Sequence, residues 1–118
     1  MFWADRIAGE IEARFKGRAP IIIRDEKTVS GRVHVGSMRG AAIHGAVHEA
    51  LTDKKIINEF IWEHNDFDPM DGFPEYLPES FRHYMGQPLY KIPSPGPGAK
   101  NFGEFYAKEF QKVIEETG

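Results

Sequence analysis

The feature that most constrains this chain is a change of period between Pro20 and His64. Directly after Pro20 comes Ile21-Ile22-Ile23, an unbroken β-branched run, the pattern of a strand covered on both faces. From about Ser37 to Thr52 apolar residues instead return every three or four positions, as Met38, Ala42, Ile43, Ala46, Val47, Ala50 and Leu51. That spacing lays them along one broad helical face. Lys54 and Lys55 suit the negative end of such a helix. A second strand is expected from about Ile57 to His64, with NEFIWEH at its heart. Two strands joined by so long a crossover pair in parallel, as a right-handed βαβ unit. The loop RDEKTVSGRVHVG joins the first strand to the helix.

The flanking segments are helical or proline-rich. Trp3, Ala4, Ile7, Ala8, Ile11 and Phe15 predict a helix over residues 2–16, with Gly17 as its stop. Residues 66–100 hold all but one of the eight prolines, so they read as loop, with a short helix near Glu79 to Met85. Asn101 and Glu104 form a capping box for a last helix. Phe102, Phe105, Tyr106, Phe110 and Val113 make its buried stripe, and Gly118 falls at a C-cap position. The fold class is therefore α/β, with few parallel strands and flanking helices. Parallel sheets need several strands, so the expectation is a fragment, or a module that borrows surface from a partner or from its own copy. A free sheet edge favours self-association.

Composition removes several function classes. Nine Phe, four Tyr and two Trp are too many aromatics for a disordered chain. The absence of Cys excludes disulfides and thiolate metal sites. A net charge of −3 supplies no global attraction to nucleic acid. No apolar run approaches the ~20 residues of a membrane span, and the N-terminus has no signal-peptide core. A soluble cytoplasmic protein is expected.

The chemistry concentrates in Thr28-Val29-Ser30-Gly31-Arg32-Val33-His34-Val35-Gly36-Ser37. A loop from strand to helix sits where ligands bind in parallel sheets. Free N–H groups at a helix start attract phosphate. Gly31 and Gly36 allow close backbone approach, and His34 can donate hydrogen bonds to phosphate oxygens. None of these residues is a nucleophile, so the chemistry is charge stabilisation at a phosphoryl centre. Ser37 could equally cap the helix, with His34 and the glycines serving only the turn. Spacing alone leaves both readings open.

The same segment resembles the first signature of class I aminoacyl-tRNA synthetases, T-P-S-G-x-x-H-x-G-x. Phe2-Trp3-Ala4-Asp5 resembles the W-A-D opening of the class I lysyl-tRNA synthetases. Asn65-Asp66-Phe67-Asp68 resembles their acidic segment after the second strand. Tyr76-Leu77-Pro78, Tyr84-Met85-Gly86-Gln87-Pro88, Ile92-Pro93-Ser94-Pro95 and Phe105-Tyr106-Ala107 also have counterparts there, in order along the chain. The resemblance implies the N-terminal part of a Rossmann-type, nucleotide-binding catalytic domain. It implies activation of lysine with ATP and Mg2+ to lysyl-adenylate, then charging of tRNA(Lys). His34, Gly36 and Ser37 would be catalytic. Thr28, Ser30, Gly31, His34 and Gly36 would bind ATP. Glu26, Lys27, Thr28 and Asp66 would meet the amino acid.

The chain departs from the family pattern in places. Val29 stands where the family has Pro, and Ser37 where the parent motif has a second His. A K-M-S-K-S type second signature does not occur in these 118 residues, nor does an anticodon-binding region. Without those lysines the 118 residues alone are expected to be inactive. Two other functions are carried as alternatives: a nucleotide-binding or self-assembling half-domain without ligase activity, and a nucleotidylyltransferase of the H-x-G-H superfamily. Asp66, Asp68 and Asp71 before Gly72 miss the calcium-loop spacing, and His44 and His48 have no third ligand in sequence. No metal site is expected.

Overall fold

A computed structural model of the chain describes residues 2–117. In chain order it contains α1 (Trp3–Arg14), β1 (Ile21–Thr28), α2 (Arg39–Asp53), β2 (Asn58–Asn65) and α3 (Phe102–Thr117). Short 3-10 turns occupy Gly36–Met38, Glu79–Tyr84 and Leu89–Lys91. The chain gathers into two compact units. One takes the residues up to Asp25 and those from Met38 to Glu63. The other takes Glu26–Ser37 and the residues from His64 onward.

β1 and β2 form a two-stranded parallel sheet, the strand pair of a partial Rossmann-like βαβ unit. The Ile21 N–H donates to the Ile57 carbonyl at 2.9 Å, and the Val29 N–H to the Asn65 carbonyl at 3.1 Å. The sequence offset is the same at both ends, so the register does not slip. β1 is longer than its apolar run predicts. Arg24–Thr28, expected in the loop, are strand, because pairing with β2 holds polar residues that no propensity would. The expectation of cover on both faces is also corrected. Ile23 is 9 % exposed but Ile22 is 47 % exposed, so one face of β1 is open to solvent.

In the first unit α1 packs on α2. Ala4 and Ala8, both fully buried, bring the helices close to each other. With Ile23, Val47, Ala50 and Leu51 they form the core, and Ile7, Ile11, Ile21, Ala46, Ile56 and Phe60 pack around it. The buried face of α2 is narrower than its spacing suggests, since Ala42 and Ile43 are exposed. Lys54 pairs with Glu12 at 3.5 Å.

The second unit is organised by α3. The Asn101 side-chain oxygen accepts the Glu104 N–H at 2.8 Å, the N-cap bond that its position predicts. Phe102, Tyr106 and Phe110 follow at four-residue steps and are buried, while Phe105 and Val113 are half-buried. Met70, Leu77, Leu89 and Ile92 complete the buried set of this unit. The proline-rich stretch is tightly bonded. Met70 N–H donates to Gln87 O at 2.9 Å, Gly86 N–H to Met70 O at 2.8 Å, and Leu89 N–H to Asp68 O at 3.0 Å. Pro78 and Pro88 each stand just before a 3-10 turn. The helix expected near Glu79 is thus a 3-10 segment. Gly118, expected to cap α3, lies outside the described residues. No described helix is long and apolar enough to cross a membrane.

Candidate functional site

The site is built within the second unit, where β1 ends. Thr28 is the last strand residue, and its hydroxyl donates to Asp68 Oδ2 at 2.7 Å. Asp68 is held in reach by Asn65, whose Oδ1 accepts the N–H groups of Phe67 at 3.0 Å and Asp68 at 3.2 Å, an Asx turn. Val29 is fully buried and anchors the chain before it enters the loop.

Several steps of that loop are then tied down. At Gly31 an added Cβ would press into the Tyr76 hydroxyl, far inside van der Waals contact, so any larger residue must displace Tyr76. The Arg32 N–H donates to that hydroxyl at 2.6 Å, and the Arg32 guanidinium lies 4.4 Å from the Tyr76 ring centroid, a cation–π pair. The Val33 N–H donates to Glu109 of α3 at 2.8 Å. His34 and Ser37 close the turn reciprocally. The His34 N–H donates to Ser37 Oγ at 2.9 Å, and the Ser37 hydroxyl donates back to the His34 carbonyl at 2.8 Å.

The bond that matters most for chemistry is the Ser37 N–H to His34 Nδ1, at 3.2 Å. The same N–H also donates to the His34 carbonyl at 3.0 Å, and with Nδ1 turned toward the turn, Nε2 is the ring nitrogen left facing outward. His34 itself is exposed, so Nε2 is open to a ligand oxygen. Gly36 belongs to the same turn. A Cβ there would stand 3.2 Å from the His34 ring and crowd it. Ser37 is 5 % exposed and does not cap α2. The residue before α2 is Met38, with no side-chain cap.

These residues surround a cavity of about 200 Å³, lined by Lys27, Thr28, Ser30, Gly31, Arg32, His34, Ser37, Tyr76 and Phe110. Two cations and several hydroxyls face a space smaller than the roughly 300–1,000 Å³ of a whole small-molecule pocket. It suits part of a ligand, such as phosphate groups. Of the residues singled out in sequence, Lys27, Thr28, Ser30, Gly31, His34 and Ser37 meet here. Glu26, Gly36 and Asp66 do not line the cavity. Glu26 is exposed on β1, and the Asp66 carbonyl accepts the Tyr90 N–H at 2.9 Å. Tyr76, Glu109 and Phe110 complete the site; the sequence marks Tyr76 only as part of a family segment and Phe110 only as core, and gives none of the three a site role. Tyr76 lay in the proline-rich stretch, and Glu109 looks like any helical acid.

Burial, and next the neighbouring Tyr76, push the Tyr106 phenol far above its usual range, so it stays protonated beside the site. His64 lies 6.1 Å from the Phe110 ring, and burial pushes its pKa down. The histidines of the first unit have local partners. His44 Nδ1 sits 3.0 Å from both Asp25 and the Gly40 carbonyl, and His48 Nδ1 lies 2.6 Å from Asn58 Oδ1. Among the described residues no group of three or more His, Asp or Glu could hold a metal ion.

Across residues 1–118 the sequence matches the family model described as tRNA synthetases class I (K). The chain belongs to that family. It is 32 % identical over 116 residues to the lysine–tRNA ligase of Methanosarcina barkeri, covering 98 % of this chain and 21 % of that protein. The lysine–tRNA ligase of Methanosphaera stadtmanae is 35 % identical over 113 residues, covering 96 % of this chain and 21 % of the relative. That of Methanocaldococcus jannaschii is 29 % identical over 118 residues, covering 100 % and 22 %. The chain thus spans about a fifth of the length of the curated relatives it matches.

Proposed function

We propose that this class I synthetase chain forms the N-terminal part of a lysine-activating catalytic domain, acting in the cytoplasm. The reaction is attack of a lysine carboxylate oxygen on the α-phosphorus of ATP. The bond to the bridging oxygen breaks, pyrophosphate leaves, and lysyl-adenylate forms. A terminal hydroxyl of tRNA(Lys) then attacks the lysyl carbonyl and AMP leaves. The observation that carries this reading is the placement of the His34 ring, exposed and turned by its Nδ1 toward the Ser37 N–H. An exposed Nε2, on a ring held by Ser37 at the rim of a small cationic cavity, is placed to donate to a phosphoryl centre gathering negative charge.

In this reading His34 and Gly36 meet the phosphates. Ser37 fixes the His34 ring. Thr28, Ser30 and Gly31 line the nucleotide side. Lys27 suits the lysine carboxylate, whereas Glu26 and Asp66, the acids that the resemblance assigns to the amino acid, lie outside this cavity. Mg2+ arrives with the triphosphate, as part of the substrate.

The test is amino-acid-dependent ATP–pyrophosphate exchange by the natural protein that carries this chain. Exchange is expected with lysine and not with the other amino acids. His34→Ala should lower it on the order of a hundredfold or more, with an unchanged circular dichroism spectrum. No exchange with any amino acid would sink the ligase reading and leave a nucleotide-binding module.

A further inference from the structure

The relatives' names speak to the reaction, and the signature speaks to His34. Neither touches two side chains that act on the signature from far along the chain. Val33 N–H is bonded to Glu109 and Arg32 N–H to Tyr76, both immediately before His34. Backbone N–H groups of a glycine-bearing loop are otherwise free to rotate among conformers. Here two successive ones have fixed acceptors, and the next, that of His34, is taken by Ser37.

We infer that Glu109, with Tyr76, is a positioning residue for lysine activation: it fixes the backbone from Arg32 to His34 so that the His34 ring keeps one orientation toward the phosphates. This rests on the function proposed above. Glu109 does not line the cavity, so its carboxylate acts on the loop and not on a ligand. The bond is charge-assisted, which makes it stronger than a neutral one. α3 gives it a rigid base, because Phe110, the next residue, is buried and Phe102 and Tyr106 anchor the same helix. Tyr76 is held in turn, its ring stacked by Arg32 and 6.4 Å from the Tyr106 ring. The loop at Arg32 and Val33 is therefore braced by α3 and by a residue that packs on it. A preorganised donor gains its advantage in the transition state, where misplacement by about 1 Å can cost on the order of a hundredfold.

The test uses the natural protein with four substitutions: Glu109→Gln, Glu109→Ala, Tyr76→Phe and Tyr76→Leu. Gln keeps an oxygen that accepts the Val33 N–H, so Glu109→Gln should retain kcat for exchange within about twofold. Glu109→Ala should lower kcat about tenfold or more, with a much smaller change in the KM for ATP. Tyr76→Phe keeps the ring under Arg32 but loses the acceptor, so its kcat should fall less than that of Tyr76→Leu. Two readouts do not depend on activity: amide hydrogen exchange at Val33, and the 15N shifts of the His34 ring. Glu109→Ala should speed the first and move the second toward a mixture of tautomers. If wild type shows no lysine-dependent exchange, the proposed function fails, and these two readouts still decide the brace. Unchanged Val33 protection and His34 shifts in Glu109→Ala would overturn it. So would equal loss of kcat in Glu109→Gln and Glu109→Ala tracking only a lowered melting temperature. If Glu109→Ala does not fold, Tyr76→Phe carries the decision through amide exchange at Arg32, whose N–H loses its acceptor, and through the same His34 shifts.

Discussion

Single residues carry the site, and some of them could be read directly from sequence. His34 and Ser37 were chosen for their types and spacing, and they do meet. What spacing could not give was their mode of meeting, because a Ser before a helix has two uses and only the backbone path selects one. Gly31 shows a different limit. Its need to be glycine comes from Tyr76, a distant residue whose hydroxyl occupies the space of a Cβ. Gly31→Ala should therefore destabilise the protein by about 1–3 kcal/mol, the usual cost of forcing an atom into a filled space. Urea denaturation measures this, and the cost should shrink in a Tyr76→Phe background, where the colliding oxygen is gone. Equal costs in both backgrounds would show that Tyr76 is not the obstacle. His64 gives a pH signature. Burial lowers its folded pKa, so the unfolded chain takes up a proton before the folded one does. Its contribution is fully present above the ordinary value of about 6.5 and is lost as pH falls below it. Urea midpoints measured between pH 7.5 and 5.5 should fall for wild type and fall less for His64→Phe, which retains a ring against Phe110.

At the scale of elements, the sequence was most legible where apolar periodicity and capping agreed. α3 has both. Its Asn101 cap and its four-residue aromatic steps describe the same helix, and consistency of that kind makes an element robust to context. Phe102 is fully buried and takes no part in lining the cavity. Phe102→Ala should cost about 3–5 kcal/mol, read by chemical denaturation monitored through helical circular dichroism. A loss below about 1 kcal/mol would mean that α3 is held by something other than its aromatic stripe. β1 is only half legible, for the opposite reason. Its second half, Arg24 to Thr28, has no strand-like pattern, and hydrogen bonding to β2 supplies what side chains do not. The proline-rich stretch was read as loop by composition. Its order comes from backbone bonds between residues roughly twenty positions apart, such as Leu89 to Asp68, and composition carries no trace of those.

On the scale of the whole molecule, the fold class and the family were legible, and the extent of cover was not. The βαβ reading follows from period alone, but period says which residues want burial and not which find it. In the first unit Trp3, Phe15, Ile22 and Ile43 are between 37 % and 47 % exposed. They border a second cavity of about 480 Å³ that also includes Ile11, Val47 and Arg6. Contiguous apolar surface of this kind is uncommon on a solvated monomer. It combines greasy walls with a cation, which is the chemistry that an anionic aromatic dye such as anilinonaphthalene sulfonate recognises. The folded chain should therefore enhance the dye's fluorescence in native buffer, where a chain with covered faces would not. Ile22→Lys places a charge on the open face of β1, a position 47 % exposed, and so should not disturb the core. That substitution should cut the enhancement severalfold while leaving circular dichroism and the urea midpoint near wild type, since surface changes usually stay within about 0.5 kcal/mol. Enhancement that survives Ile22→Lys would move the dye to another part of the surface. No enhancement at all would mean that β1 is covered in solution, and sedimentation equilibrium would then establish whether a second copy provides that cover.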